Sequence, residues 1–182
     1  MKVNRMIISG SVAAAMAILP VAGMAAEREC VIGKPTPASY TWNFRAETDG
    51  IFAQMKNEAW QAREHAEQLQ AFAGDAEPLQ WQSHLNQLQQ VRAAVNDMGE
   101  KLCRLESIRR VDSPWQRKEI SRIARRVMLL ADNTQDALQF GDTHRETLWE
   151  PAYQKYVDSI YSQALALTKS LDRAANYGKQ HS

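Results

Sequence analysis

The feature that most constrains this chain is a stripe of apolar and small side chains within residues 40–73. Its members follow one another at alternating steps of three and four residues, the spacing of a coiled-coil seam on one face of an α-helix. They are Phe52, Met55, Ala59, Ala62, Ala66, Leu69 and Ala73. The pattern predicts one long helix buried along a single face, and its three central alanines predict close approach by a neighbouring helix.

Three further segments, residues 76–110, 114–140 and 144–177, carry the same kind of stripe. In the second helix it comprises Trp81, Leu85, Leu88, Val95, Leu102 and Leu105, with interruptions at Arg92 and Gly99. In the third and fourth it comprises Ile120, Ile123, Val127, Leu130, Thr134 and Leu138, then Tyr156, Ile160, Ala164, Leu167, Leu171 and Ala174. Four helices of similar length joined by short turns favour an all-α, antiparallel up-down-up-down four-helix bundle over residues 40–178.

Capping residues indicate where two of the helices begin. Asp75 is a suitable N-cap for the second helix, and Pro78 falls in its first turn, where proline is tolerated. Ser113 and Gln116 have the spacing of a capping box, with a proline at the first helical position between them. The third helix is therefore expected to start at residue 114.

The junction between the third and fourth helices leaves two interpretations open. Gly141 is predicted to end the third helix as a left-handed cap. Thr143 and Thr147 each precede a glutamate by three residues, so they compete as the cap of the fourth helix. With Thr147 as the cap, Pro151 lies harmlessly in the first turn, whereas with Thr143 as the cap it kinks the helix.

The N-terminal segment has the features of an export signal. Lys2 and Arg5 precede an uncharged apolar run at residues 6–21, and small residues at 23–26 suit cleavage by a signal peptidase. The run is too short, and too soon followed by charged residues, for a convincing membrane span. We expect residues 1–26 to be removed, residues 27–39 to form an extended arm, and the product to reside in the periplasm or outside the cell.

Charge and hydropathy argue against a nucleic-acid-binding protein and against a membrane-spanning one. The signal takes two of the 22 basic residues and none of the 21 acidic ones, so the mature chain has one acid more than its bases. Nucleic-acid-binding domains normally show a strong basic excess, so nucleic acid is not an expected partner. No other apolar segment is long enough to span a bilayer, and the mature chain is expected to be soluble.

The two cysteines, Cys30 and Cys103, both remain after cleavage in a compartment where disulfides persist. Cys103 is expected near the bundle end where the first helix begins, within reach of an arm that starts at Cys30. A disulfide between them contributes about 4 kcal/mol in the chain-entropy model. The alternative is two reduced thiols.

Two histidines form a candidate metal site. His65 and His84 are placed symmetrically about the first turn, and each precedes a stripe residue, so antiparallel packing is expected to bring them level. Two imidazoles with Glu64, Gln61 or Gln87 can hold Zn²⁺ or Cu²⁺. The alternative is that both are half-exposed polar residues at the edge of the core.

Aromatic residues gather at the end of the predicted bundle that holds the first and third turns. We expect this group to fill the core there, or else to form a ligand pocket or partner-binding patch. Its members are Phe72, Trp81, Phe140, His144, Trp149 and Tyr153.

Positive charge is concentrated between residues 101 and 126, where there are nine basic residues and only three acidic ones. One interpretation is ordinary solvated faces and complementary packing within the bundle. The other is a patch that binds an anionic envelope polymer, lipid headgroups or an acidic protein. The candidate patch is Arg109, Arg110, Arg117, Arg122 and Arg126.

The sequence lacks the cofactor ligands of haem-binding and di-iron four-helix bundles. The architecture is similar to that of the b-type cytochrome 562 family, but the iron ligands are not, because Met55 lies well inside the first helix and His181 beyond the predicted end of the fourth. No glutamate has a histidine three residues later, as di-iron bundles require, and no hydrolase, phosphate-loop or zinc-protease motif occurs. We therefore expect no cofactor and no enzymatic activity.

These patterns together favour an exported, non-enzymatic bundle that binds a protein or envelope partner through its surface, as an adaptor or chaperone does. The alternative is a small-ligand or metal (zinc or copper) carrier that uses the aromatic, histidine-bearing end. An oligomer also remains open, since the alanine-rich stripe of the first helix suits packing against another chain.

Overall fold

The computed structural model describes residues 43–74, 81–148 and 150–181. Within these ranges it contains four helices and no strand: α1 (Phe44–Gly74), α2 (Trp81–Ile108), α3 (Pro114–Thr143) and α4 (Pro151–His181). The predicted all-α four-helix bundle is confirmed. The predicted signal peptide, the extended arm, Asp75 and Pro78 lie outside the described residues.

Each helix packs mainly against two others, because α1 and α3 both contact α2 and α4. Polar contacts give the relative directions. Between α1 and α4, Lys56 pairs with Asp172 at 2.7 Å and Gln70 donates a hydrogen bond to Asp158 at 2.9 Å, so late residues of one helix meet early residues of the other. The same reversed order holds between α1 and α2 and between α3 and α4. These three helix pairs are therefore antiparallel.

The predicted stripes of α1 and α3 are buried in the core. All seven stripe residues of α1 and all six of α3 are buried. The Thr168 hydroxyl on α4 donates a hydrogen bond to the Ala59 carbonyl on α1 at 3.2 Å. This contact reaches the backbone of α1 directly, so the close approach expected at the alanines is present.

The stripe of α2 differs from the prediction at its start, where Trp81 and Leu85 are only half-buried, and at two positions further along. His84 is buried and Leu85 only half-buried, and Val91 and Met98 fill the positions where Arg92 and Gly99 were expected to interrupt the stripe. The predicted interruptions are wrong. The continuous buried stripe is His84, Leu88, Val91, Val95, Met98, Leu102 and Leu105.

Two helix starts are fixed by side-chain caps. The Asn43 side chain accepts a hydrogen bond from the Ala46 backbone N–H at 3.1 Å, which satisfies one of the open donors of α1. The capping box of α3 is confirmed: the Gln116 N–H donates to the Ser113 hydroxyl at 3.2 Å, and the Ser113 N–H donates to the Gln116 side chain at 3.0 Å.

The junction between α3 and α4 corrects three expectations. Gly141 does not end α3: it is buried within the helix, no described glycine has a positive φ, and α3 continues to Thr143. Neither Thr143 nor Thr147 opens α4, which begins at Pro151. Proline at the first position loses no helical hydrogen bond, so no kink follows. At its other end α4 continues to His181, past the predicted end near residue 177.

Within the described ranges, no helix combines the length and the apolar composition needed to cross a membrane.

Candidate functional site

A chain of ring contacts connects all four helices at one end of the bundle, and we call it the ring cluster. Phe72 of α1 lies 5.9 Å from His84 of α2, and His84 lies 5.5 Å from Tyr153 of α4, measured between ring centroids. Tyr153 lies 5.9 Å from Phe140 of α3, which stacks on His144 at 4.3 Å. The structure therefore brings five of the predicted aromatic and histidine residues together.

The centre of the ring cluster is closed to solvent. Tyr153 has no exposed surface and His84 is only 4% exposed. Neither the Tyr153 hydroxyl nor His84 Nδ1 has a hydrogen-bond partner among the described residues. Burial lowers the pKa of His84 and raises the pKa of Tyr153 above its ordinary value, since each charged form is poorly solvated there. Both rings are thus held in their neutral forms.

A cation–π contact lies at the start of α2. The Arg145 guanidinium lies over the Trp81 ring, 4.3 Å from its centroid, and so connects the start of α2 to the segment between α3 and α4. Trp81 is half-buried. Trp149, the sixth member of the predicted patch, lies outside the described residues.

The two histidines of the candidate metal site contact different partners. His65 is half-buried, and its Nδ1 lies 2.8 Å from the side-chain oxygen of Gln87, whereas His84 contacts the rings of Phe72 and Tyr153. The expectation that both histidines occupy equivalent flanking slots is wrong because His84 belongs to the core stripe of α2. In the described part of the chain, no group of three or more His, Cys, Asp or Glu side chains is placed to hold a metal ion.

At the opposite end of α1, a buried polar network joins α1 to the α2–α3 turn. The Thr48 hydroxyl donates a hydrogen bond to the Asp112 carboxylate at 2.7 Å, and the Gln116 amide donates to Asp49 at 3.1 Å. Burial raises the pKa of Asp112, although the Thr48 hydrogen bond and the Arg117 charge act in the opposite direction. One Asp112 oxygen is buried without a partner among the described residues.

This network was not predicted, although one signal for it exists. Thr48 lies four residues before Phe52, so it continues the apolar stripe of α1 toward the N-terminus, where a polar residue needs a buried partner. Nothing in the sequence identifies that partner as Asp112, because the two residues are 64 positions apart.

Three of the five predicted patch arginines are engaged by the protein itself. Arg109 donates to Glu106 at 3.0 Å and to the Ser121 hydroxyl at 2.5 Å. Arg117 donates to the Asp112 carbonyl at 2.7 Å, and Arg122 pairs with the buried Glu119. Arg126 is half-buried, with its Nε lacking a partner among the described residues.

Two further basic residues near the α2–α3 turn project into solvent. Arg110 and Lys118 are exposed, and neither forms an ion pair within the described residues. Between them in sequence, Val111 is 58% exposed at the α2–α3 turn. We call Arg110, Val111 and Lys118, with the engaged Arg109, Arg117 and Arg122 beside them, the basic corner.

Acidic side chains compensate the basic region elsewhere along α2. Arg104 pairs with Glu47 at 2.6 Å and Lys101 pairs with Glu58, both acids being on α1. Cys103 lies half-buried between these two basic residues, while its predicted partner Cys30 lies outside the described residues. Complementary packing therefore accounts for part of the charge asymmetry, and it leaves Arg110 and Lys118 of the basic corner exposed.

No family model, curated protein or solved structure matches this chain.

Proposed function

We propose that this protein is an exported, non-enzymatic helical bundle that binds an acidic protein or an anionic envelope component through the basic corner. The observation that carries the proposal is that the acidic side chains around the α2–α3 turn are paired or buried while two basic ones are exposed. Glu106 and Glu119 are bound to arginines and Asp112 is buried, while Arg110 and Lys118 extend into solvent.

The corner combines two properties of a binding surface. Its exposed cations attract a negatively charged partner over about 10 Å at moderate salt. The exposed Val111 side chain supplies an apolar contact at the tip of the turn. The buried Thr48–Asp112 hydrogen bond and the capping box hold this turn in a defined shape, so little order has to be gained on binding.

The test compares two double charge reversals that change net charge equally. Arg110→Glu/Lys118→Glu removes the basic corner, and Arg92→Glu/Lys155→Glu changes two exposed residues elsewhere. We expect the unaltered protein to bind phosphatidylglycerol vesicles, or an acidic protein from envelope extract, with affinity that falls as salt rises. Only the first variant should lose this binding. Equal losses in both variants, or no salt-sensitive binding at all, would contradict the proposal.

Export and the disulfide belong to the same proposal. Residues 1–26 act as a cleaved signal, and residues 27–39 form an arm that carries Cys30 to Cys103. Arg104, next to Cys103, pairs with Glu47 near the start of α1, so Cys103 lies at the level where the chain enters the bundle. The thirteen residue-to-residue steps from Cys30 to Asn43 span at most about 47 Å when fully extended, which gives ample reach. Mass spectrometry of the secreted product, with and without reductant, tests both the cleavage site and the disulfide.

A carrier of a small ligand or of zinc or copper is the second candidate, favoured by the two buried polar atoms of the ring cluster. His84 Nδ1 and the Tyr153 hydroxyl lack partners among the described residues, and a bound ligand would supply them. Zn²⁺ or Cu²⁺ should then raise the melting temperature of the protein, and His84→Ala should abolish the rise, whereas His65→Ala should not. An unchanged melting temperature across metals and small apolar ligands removes this candidate.

A further inference from the structure

The outer face of α3 carries two adjacent large apolar side chains in solvent. Met128 is 65% exposed and Leu129 is 43% exposed. They lie in the middle of the helix, on the side away from the buried stripe that contains Val127 and Leu130. Large apolar side chains exposed side by side indicate a contact surface more strongly than isolated ones do.

The charges on either side of this pair are arranged symmetrically. Arg125 lies three residues before Met128, and Asp132 lies three residues after Leu129. Both are exposed, and neither has an ion-pair partner among the described residues. Steps of three and four residues place all four side chains on one helical face. The face is therefore basic on one side of its apolar centre and acidic on the other.

We propose that this face binds a second copy of the same chain, with the two α3 helices antiparallel across a two-fold axis that passes between Met128 and Leu129. In that arrangement Met128 faces the partner's Leu129, and Arg125 faces the partner's Asp132. A two-fold interface requires a surface complementary to itself, and the sequence of this face meets that requirement. A parallel arrangement would instead place like charges opposite each other.

The expected dimer is reversible. Stable interfaces bury about 800 Å² on each partner, and one helix face with two large apolar side chains provides less than that. The exposed ion pairs contribute mainly to orientation and are weakened by salt. The exposed cations of the basic corner, Arg110 and Lys118, lie at or near the α2–α3 turn rather than at the middle of α3, and different substitutions test the two proposals.

The first test removes the apolar centre. Sedimentation equilibrium of the full chain as cells produce it, from micromolar to millimolar concentration, should show a monomer–dimer equilibrium. Met128→Gln/Leu129→Gln should raise the dissociation constant at least tenfold. Trp60→Gln is the matched control, since Trp60 is also an exposed apolar residue, 49% exposed, but lies on α1. Circular dichroism melting verifies that each variant is folded.

The second test uses the charges to establish direction. Arg125→Asp or Asp132→Arg alone should weaken the dimer about tenfold, because like charges then meet at both symmetry-related positions. An equimolar mixture of these two variants should restore dimerisation to the wild-type level, and so should the double exchange Arg125→Asp/Asp132→Arg.

Three outcomes would overturn the proposal. One is a monomer at every concentration, which assigns the apolar pair to a different partner. Another is a dimer indifferent to Met128→Gln/Leu129→Gln, which places the interface elsewhere. The last is a single charge reversal that dimerises as well as the wild type, which contradicts the antiparallel arrangement.

Discussion

The imidazole of His84 meets the phenol ring of Tyr153 edge to face, with the ring centroids 5.5 Å apart. The two residues belong to α2 and α4, which make no extensive contact elsewhere in the described residues. The pair therefore fills the centre of the bundle end and connects helices that are otherwise held apart by α1 and α3.

Stability should fall as the solution is acidified below pH 6.5 because of His84. Burial lowers the pKa of His84 in the folded protein below its ordinary value of 6.5, so the unfolded chain takes up the proton first. The contribution of neutral His84 is complete above pH 6.5 and is lost as the pH falls toward the lowered pKa. The loss can reach about 1.4 kcal/mol per pH unit.

Urea unfolding between pH 7 and pH 5 measures this effect. His84→Leu should flatten the dependence of the unfolding free energy on pH. Leu88→Met, a change of similar volume in the same buried stripe, should leave the dependence as it is. A pH dependence that is the same in the wild type and in His84→Leu would contradict the assignment.

Tyr153→Phe should leave stability unchanged or raise it. The Tyr153 hydroxyl is buried without a hydrogen-bond partner among the described residues, so its removal relieves a desolvation cost. Tyr153→Ala should in contrast cost about 3–5 kcal/mol, because it leaves a cavity in the ring cluster. Thermal and urea unfolding of both variants provides the measurement. A loss above about 1 kcal/mol in Tyr153→Phe would mean that the hydroxyl has a bound partner and would favour the ligand-carrier function.

Thr48→Val should destabilise the protein by about 1–3 kcal/mol, since it removes the hydrogen bond to a buried carboxylate oxygen of Asp112. Ser107→Ala removes an exposed hydroxyl that donates to the Arg104 carbonyl, and its effect should stay within about 0.5 kcal/mol. Urea unfolding at pH 7 compares the two variants. Equal effects would indicate that the Thr48–Asp112 hydrogen bond contributes no more to stability than the exposed Ser107 hydrogen bond does.

Gly141→Ala should stabilise the protein by about 0.5–1 kcal/mol, because Gly141 lies within α3 and alanine is the better helix former. Among the described residues, a Cβ at this position would meet only the Leu148 side chain, at an ordinary contact distance of 4.0 Å. Had Gly141 been a left-handed cap, the same change would introduce strain. The sign of the shift in melting temperature therefore distinguishes the two structures.

Much of the fold follows from the spacing of apolar residues. Every predicted stripe residue of α1 and α3 is buried, because apolar residues at steps of three and four define one helical face to bury. The start of α3 was predicted as well, since the capping box is a local contact between Ser113 and Gln116. Periodicity of this kind requires no knowledge of the other helices.

The candidate sites depended on information that periodicity does not contain. Whether His84 or Leu85 enters the core depends on where Phe72 and Tyr153 lie, because adjacent helical positions differ by only 100° around the axis. Likewise, only the packed bundle determines that Glu47 neutralises Arg104 while Arg110 stays exposed.

The sequence by itself determined four amphipathic helices and the buried stripes of two of them, α1 and α3. A helix defines its apolar face through local geometry. Only the tertiary structure decided which polar residues are buried together and which charges are compensated. Those outcomes depend on side chains that are distant in sequence, such as Thr48 and Asp112, and that meet only when the helices have packed.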